Sequence, residues 1–260
     1  MTDTQVLLSE LDDRGVLKLT LNRPKVNAFN YEMIDALQQA LKVARKPETR
    51  VVLLSGAGRI FSAGQDLTEV KQAEDQSFRY HLQRTYNPLI MQIRRLEKPV
   101  LAAIHGAVTG AALGIALACD LRIAAEDTRF VVGFSGIGLA PDSAVSLFLP
   151  ALIGLGRATE YTFSNAPISA EQALAWGMVN RLAPGAELAA QALAWAHELA
   201  DGPVHTFGLA KRDFNRSVLL NLEEALDYEA HIQDIAGRAP EHKEGVRAFL
   251  EKRTPDYRRA

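Results

Sequence analysis

One carboxylate interrupts an otherwise apolar run in GLAPDSAVSLFLPALIG (138–154): Asp142 is the single acidic residue between Asp127 and Glu160. Two uses fit it. Pro-Asp-Ser ahead of an apolar run is a helix N-cap signature, worth about 1 kcal/mol. The same carboxyl group, kept from water, becomes a proton carrier near neutral pH. An apolar setting raises its pKa and a helix start lowers it, so the two pulls oppose each other. Two other stretches offer backbone chemistry. In GRIFSAGQDL (58–67), Phe61 is followed by the small residues Ser62, Ala63 and Gly64, and a helix is predicted to open near Asp66. In HGAVTGAALG (105–114) small residues again lead into a helix start near Gly110 and Ala111. Amides at a helix start are unpaired donors, and small side chains let a ligand reach them. Two such turns converging on one carbonyl oxygen would stabilise negative charge by a few kcal/mol per donor. Close helix–strand packing asks for the same small residues.

The elements that must hold these groups alternate. VLKLTLN (16–22), RVVLLSG (50–56), PVLAAIHG (99–106) and LRIAAEDTRFVV (121–132) read as extended, and NYEMIDALQQALKVARK (30–46) and GAALGIALACD (110–120) as helices. The stretch 66–98 reads as mostly helical, with Pro88 as its break or kink. Strands separated by helices predict a mainly parallel sheet with crossovers. Past residue 185 every periodic segment is an amphipathic helix. The expected organisation is α/β, with a core over 1–190 and a helical region over 191–260.

Composition narrows the function classes. The 260 residues are 48% hydrophobic and 23% charged, with a formal net charge of −2. That charge gives no global field for nucleic acid or an anionic membrane. The apolar segment 100–119 has membrane-spanning length but reads as strand, turn and helix around His105, Gly106, Thr109 and Gly110. The N-terminus lacks a signal-peptide pattern, and the single Cys119 fits a reducing compartment, so a cytoplasmic location is expected. No dinucleotide fingerprint, phosphate loop, metal-spaced histidines or Gly-x-Ser-x-Gly elbow is present, and no metal or cofactor is expected.

LTLNRP with NAF (18–29), FSAGQDL (61–67), IHGAVTGAALGIALACDLRIA (104–124) and WGMVNRL (176–182), in this order, resemble the crotonase, or enoyl-CoA hydratase/isomerase, superfamily. The resemblance implies a spiral of ββα units, a helical C-terminal region that trimerises, often into a hexamer, and an acyl-CoA thioester substrate. Coenzyme A is then part of the substrate, not a cofactor. Carried over position by position, the resemblance makes Ala63 and Ala111 the oxyanion amides. It places coenzyme A contacts at Lys25, Val26, Ala28, Ala63, Gln65, Asp66, Leu67, Gly110 and Pro141. Phe249 and Lys252 match positions that reach a neighbouring subunit's substrate; for Lys252 a solvated charge in a basic tail is the equal alternative. The loop RPKVNAF is one residue shorter than the family's usual form.

The two glutamates that the family's hydratases use fall on Gly114 and Phe134, neither of which transfers a proton. Moving a double bond through an enolate needs one base, and Asp142 aligns with the single acid of certain Δ3,Δ2-enoyl-CoA isomerases and of members that open a ring epoxide of phenylacetyl-CoA. The expectation is therefore a thioester isomerase with Asp142 as proton shuttle. The alternatives are an enoyl-CoA hydratase and a catalytically silent CoA-ester-binding oligomer. His105 reads as structural, and Asp66 and Asp120 as caps or packing partners. Tyr80, His81 and Tyr86 fall on the helix that often lines the acyl pocket in this family.

Overall fold

The computed structural model describes residues 5–68 and 77–260. Residues 69–76, within the predicted helical stretch 66–98, lie outside the described residues. Leu7–Leu11 (β1) and Val16–Leu21 (β2) form an antiparallel pair. After helix α1 (Tyr31–Val43) comes Val51–Gly56 (β3), parallel to β2. Asn30 starts α1 by accepting the Met33 amide at 3.0 Å, as an N-cap should. Helices α2 (Phe78–Arg84) and α3 (Tyr86–Arg95) follow. The break between them falls at Thr85, three residues before the expected one, because Pro88 sits in the first turn of α3, where a missing N–H costs nothing.

The next stretch has the ββα repeat in full: Val100–Ile104 (β4), Ala107–Thr109 (β5), then α4 (Ala111–Ala118). Leu121–Ala125 (β6) and Arg129–Val131 (β7) start the next turn, which continues through a 3-10 turn at Ser135–Ile137 into α5 (Val145–Ile153) and α6 (Leu155–Ser164). Ile168–Ser169 (β8), α7 (Ala170–Ala175) and Arg181–Ala183 (β9) complete it. The large sheet runs in the order β1-β2-β3-β4-β6-β9, parallel from β2 onward, and the small one β5-β7-β8. The spiral arises because strands are shared out in pairs, one to each sheet: β4 with β5, β6 with β7, and β9 with β8.

Alternate residues divide the strands between two cores, as a period of two requires. Leu17, Leu19, Leu21, Val52, Leu54 and Ile104 face α1, α3 and α4. Val16, Val51, Leu53, Leu101 and Ile123 face the other way, against Trp195 and Ala196 of α8 (Leu188–Asp201). The expected division at residue 190 falls inside α8, which is continuous across it and covers the sheet. Helices α9 (Val204–Val218), α10 (Leu222–Ala236) and α11 (Pro240–Leu250) follow, and α10 packs against α2, α3 and α5. Among the described residues no helix is long and apolar enough to cross a membrane.

Candidate active site

The first turn hangs from one asparagine. Asn27 takes the left-handed conformation (φ 48°), which asparagine tolerates better than most residues. Its side-chain N–H groups donate to the carbonyls of Ala57, Ile60 and Phe61 at 2.8–3.1 Å, tying the 23–28 loop to the end of β3. Ser62 Oγ donates to the Asn27 carbonyl at 2.7 Å and accepts the Gly64 amide at 3.1 Å. Arg23 closes the loop onto the far side of the turn, donating to Asp66 Oδ2 at 2.7 Å. This loop also uses the Ala63 amide: it donates to the Val26 carbonyl at 3.0 Å. One of the two expected oxyanion donors thus has an internal acceptor.

The second turn lies alongside the first. Ser62 bridges Val108 in parallel register, and the Thr109 amide donates to the Ser62 carbonyl at 3.3 Å. Beyond that bridge only glycine fits at residue 64 (φ +86°). A methyl group there would stand 2.6 Å from the Thr109 carbonyl oxygen and 3.6 Å from the Ala111 nitrogen. Gly110 (φ 59°) turns the chain into α4, so Ala111 occupies the first helical position, whose amide has no intrahelical acceptor. The two turns predicted from small residues therefore adjoin at Gly64.

Asp142 is 6% exposed, but it is not a cap. Helix α5 begins at Val145 with Ala144 as its N-cap, and no side chain of the 142–144 turn bonds a helix-start amide. Asp142 Oδ1 instead accepts the Ser143 hydroxyl, and Oδ2 the Gln233 side-chain amide, each at 2.7 Å. The expected cap role is taken by Glu229 of α10. Its Oε2 accepts the Ala144 amide at 2.7 Å, and its Oε1 the Ser146 amide at 2.9 Å. Ser143 and Ala144 are both left-handed (φ 57° and 63°), a conformation costing roughly 1–3 kcal/mol for a residue other than glycine. The surrounding bonds hold that strain and face the Asp142 carboxylate into the protein.

Gly114 explains how the turn fits. A methyl group on it would lie 2.4 Å from the Ser143 carbonyl oxygen and 2.6 Å from the Ser143 Cβ. The turn carrying Asp142 therefore packs directly on α4, three residues from Ala111. Residues three apart share a helix face, so the Asp142 turn and the Ala111 amide are on the order of 5 Å apart along α4. Gly114→Ala should cost 1–3 kcal/mol, as overpacking does. It should lower Tm by several degrees and, by displacing the 142–144 turn, cut activity at least about tenfold; thermal melts and turnover assays check both. Phe134, the other position without an acid, is buried at the start of the 3-10 turn.

Burial pushes the Asp142 carboxyl up to about 6, against the hydrogen bonds from Gln233 and Ser143, which favour its charged form. Burial likewise pushes Glu229 up to about 7, opposed by the bonds from Ser146 and Ala144 and assisted by repulsion from Asp142. The folded chain holds the Asp142 proton more tightly than the unfolded chain, so this stabilising contribution is complete below about pH 4 and lost as pH rises through about 6. Asp142→Asn removes the buried charge and should raise stability at pH 8 by about 3 kcal/mol, a gain that shrinks between pH 6 and pH 4. Melting curves at pH 4, 6 and 8 check this.

The remaining predicted residues divide by place. Lys25, Val26 and Ala28 belong to the loop tied down by Asn27, and Lys25 and Val26 are exposed. Gln65 pairs with Phe29 in a bridge, and its Oε1 accepts the Tyr86 hydroxyl at 2.5 Å and lies 3.2 Å from His81 Nε2. Burial holds His81 down at about 4, neutral at ordinary pH, with Tyr31 against its other ring nitrogen at 2.9 Å. Tyr80 is half exposed. Asp66 accepts the Thr68 amide at 2.9 Å, and Leu67 follows it. Pro141 is half-buried beside Asp142. Phe249 and Lys252 are exposed at the end of α11 and just beyond it. His105 bonds the Gly58 carbonyl at 3.1 Å, and Asp120 holds Arg94, Lys211 and the Val100 amide. Both serve the framework.

Comparison with known proteins places this arrangement in a family. The enoyl-CoA hydratase/isomerase family model matches residues 12–260, and the chain belongs to that family. It is 39% identical to 1,2-epoxyphenylacetyl-CoA isomerase of Escherichia coli K12 over 97% of this chain and 98% of that one. It is 35% identical to trans-2-decenoyl-[acyl-carrier-protein] isomerase of Streptococcus mutans, over 94% and 95% of the two chains. The crystal structure of an enoyl-CoA hydratase from Mycobacterium avium subsp. paratuberculosis superposes with a TM-score of 0.88 at 33% identity, covering 98% of this chain and 99% of that one. The predicted spiral fold is thereby shown.

Proposed function

We propose that the protein isomerises acyl-CoA thioesters through an enolate, moving a double bond or opening a ring epoxide. The observation that carries this reading is the buried Asp142 carboxylate on a turn packed against the start of α4, with its basicity raised to about 6. The thioester oxygen accepts the Ala111 amide and replaces the Val26 carbonyl on the Ala63 amide. Asp142 then takes a proton from carbon, the two amides hold the enolate, and the same carboxyl returns the proton at a second carbon. Water addition asks for two carboxyl groups at the substrate, and the positions that the resemblance assigns to the two glutamates of the family's hydratases hold Gly114 and Phe134.

The identity to a 1,2-epoxyphenylacetyl-CoA isomerase favours a ring-derived acyl group. Apolar side chains exposed on the C-terminal helices and between them, among them Phe214, Val218 and Leu220, favour assembly into a trimer. The test offers 1,2-epoxyphenylacetyl-CoA, a 3-enoyl-CoA and crotonyl-CoA to the purified protein. Isomerisation of either of the first two, well above hydration of the third, supports the reading. Hydration of crotonyl-CoA as the fastest reaction replaces it, and binding without turnover of any reduces the protein to a CoA-ester binder.

A further inference from the structure

Asp142 is held from a distance in sequence. Glu229 and Gln233 lie one turn apart on α10, 3% and 0% exposed, and both reach the 140–146 segment. Glu229 takes the amides of Ala144 and Ser146; Gln233 donates to Asp142 Oδ2 at 2.7 Å and accepts the Ala140 amide at 3.1 Å. The segment is thus gripped ahead of Asp142, at it and behind it by two neighbouring side chains of one helix. The other face of α10 is occupied elsewhere. Asp227 and Asp234, roughly half a helical circumference away, bind Arg79 and Ser77 at α2. Of the elements packed on the clamp, α4 brings the uncharged Gly114, α5 brings Ser146 and α3 brings Asn87, which bonds the Leu226 carbonyl. Asp142 is the charged group acting most strongly on Glu229.

We propose that Glu229 and Gln233 are positioning residues, so that α10 fixes both the direction and the charge state of the Asp142 carboxyl. This rests on the isomerase reading only for its effect on turnover. The two side chains act differently. The N–H of Gln233 favours ionised Asp142, whereas Glu229, which keeps its proton to a higher pH than Asp142 does, acts on the direction of the turn.

The experiment follows the Asp142 carboxyl by carbon-13 NMR in aspartate-labelled protein, its signal assigned by its loss in Asp142→Asn. In Gln233→Met the Asp142 titration should move to higher pH, and in Glu229→Gln it should stay near its wild-type position. In both, kcat should fall about 10²-fold, the effect of a misplacement near 1 Å, with KM within twofold of wild type. A merely structural role does not separate the two variants in this way. An unchanged titration in Gln233→Met, or an equal shift in both variants, overturns the proposal, as does wild-type kcat in either folded variant. Should one variant not fold, the other decides alone. If Asp142→Asn keeps wild-type turnover, the isomerase reading fails, and the titrations still judge the clamp.

Discussion

Asp142→Asn should lower kcat by about 10³-fold while the KM for the thioester stays within a few fold of wild type. General acid–base catalysis contributes roughly 10²–10⁴, and the packing around Asp142 offers no substitute among the described residues. Glu229 has both oxygens bonded to backbone amides, and Gly114 and Phe134 carry no acid. Asparagine keeps the size of the side chain; its oxygen can accept from Gln233 and its N–H can donate to the rotated Ser143 hydroxyl, so the turn is preserved and the loss reads as chemistry. On the proposed mechanism the base acts in its ionised form. With its carboxyl at about 6, kcat should therefore fall as pH drops through 6, approaching tenfold per unit, and stay level above. Steady-state kinetics across pH 4.5–8 check both statements. Near-normal turnover in the variant would remove Asp142 from the mechanism.

The second large effect belongs to a backbone atom. Ala111 stands at the first position of α4, where proline is well tolerated. Ala111→Pro removes the amide proton and sets a ring carbon in its place while leaving the helix start intact. The expected loss in kcat is about 10²–10³, the usual worth of one oxyanion donor. Circular dichroism confirms the fold, and turnover of the best substrate gives the number. Activity within twofold of wild type would mean that the Ala111 amide holds no developing charge.

Much of this site is legible in the chain because its parts are local. Small residues at 62–64 and 109–111 marked two turns, and the structure brings them together at Gly64. The isolation of Asp142 in an apolar run was equally visible, and burial follows from it. What the sequence does not display is separated in it. Glu229 and Gln233 sit in an amphipathic helical stretch and read there as ordinary polar residues. Only the docking of α10 brings them to the 140–146 turn, 83–93 residues away. The cap reading of Asp142 failed for the same reason, since a remote carboxylate already held those amides. The Ser143–Ala144 turn carries no glycine to announce its positive φ. Strand β1 was not foreseen because only Leu7 of its five residues is buried, and the Thr85 break hides in a stretch of uniform helical periodicity.

Gly114 also bears on how this scaffold can change its chemistry. The space where a side chain at 114 would start is filled by the backbone of the very turn that presents Asp142. An acid at 114 and an acid at 142 in this conformation claim the same volume. A lineage cannot pass between the two arrangements through an intermediate that keeps both acids, one substitution at a time. The 142–144 turn has to be rebuilt together with residue 114, so acids at these two positions are alternatives, not additions.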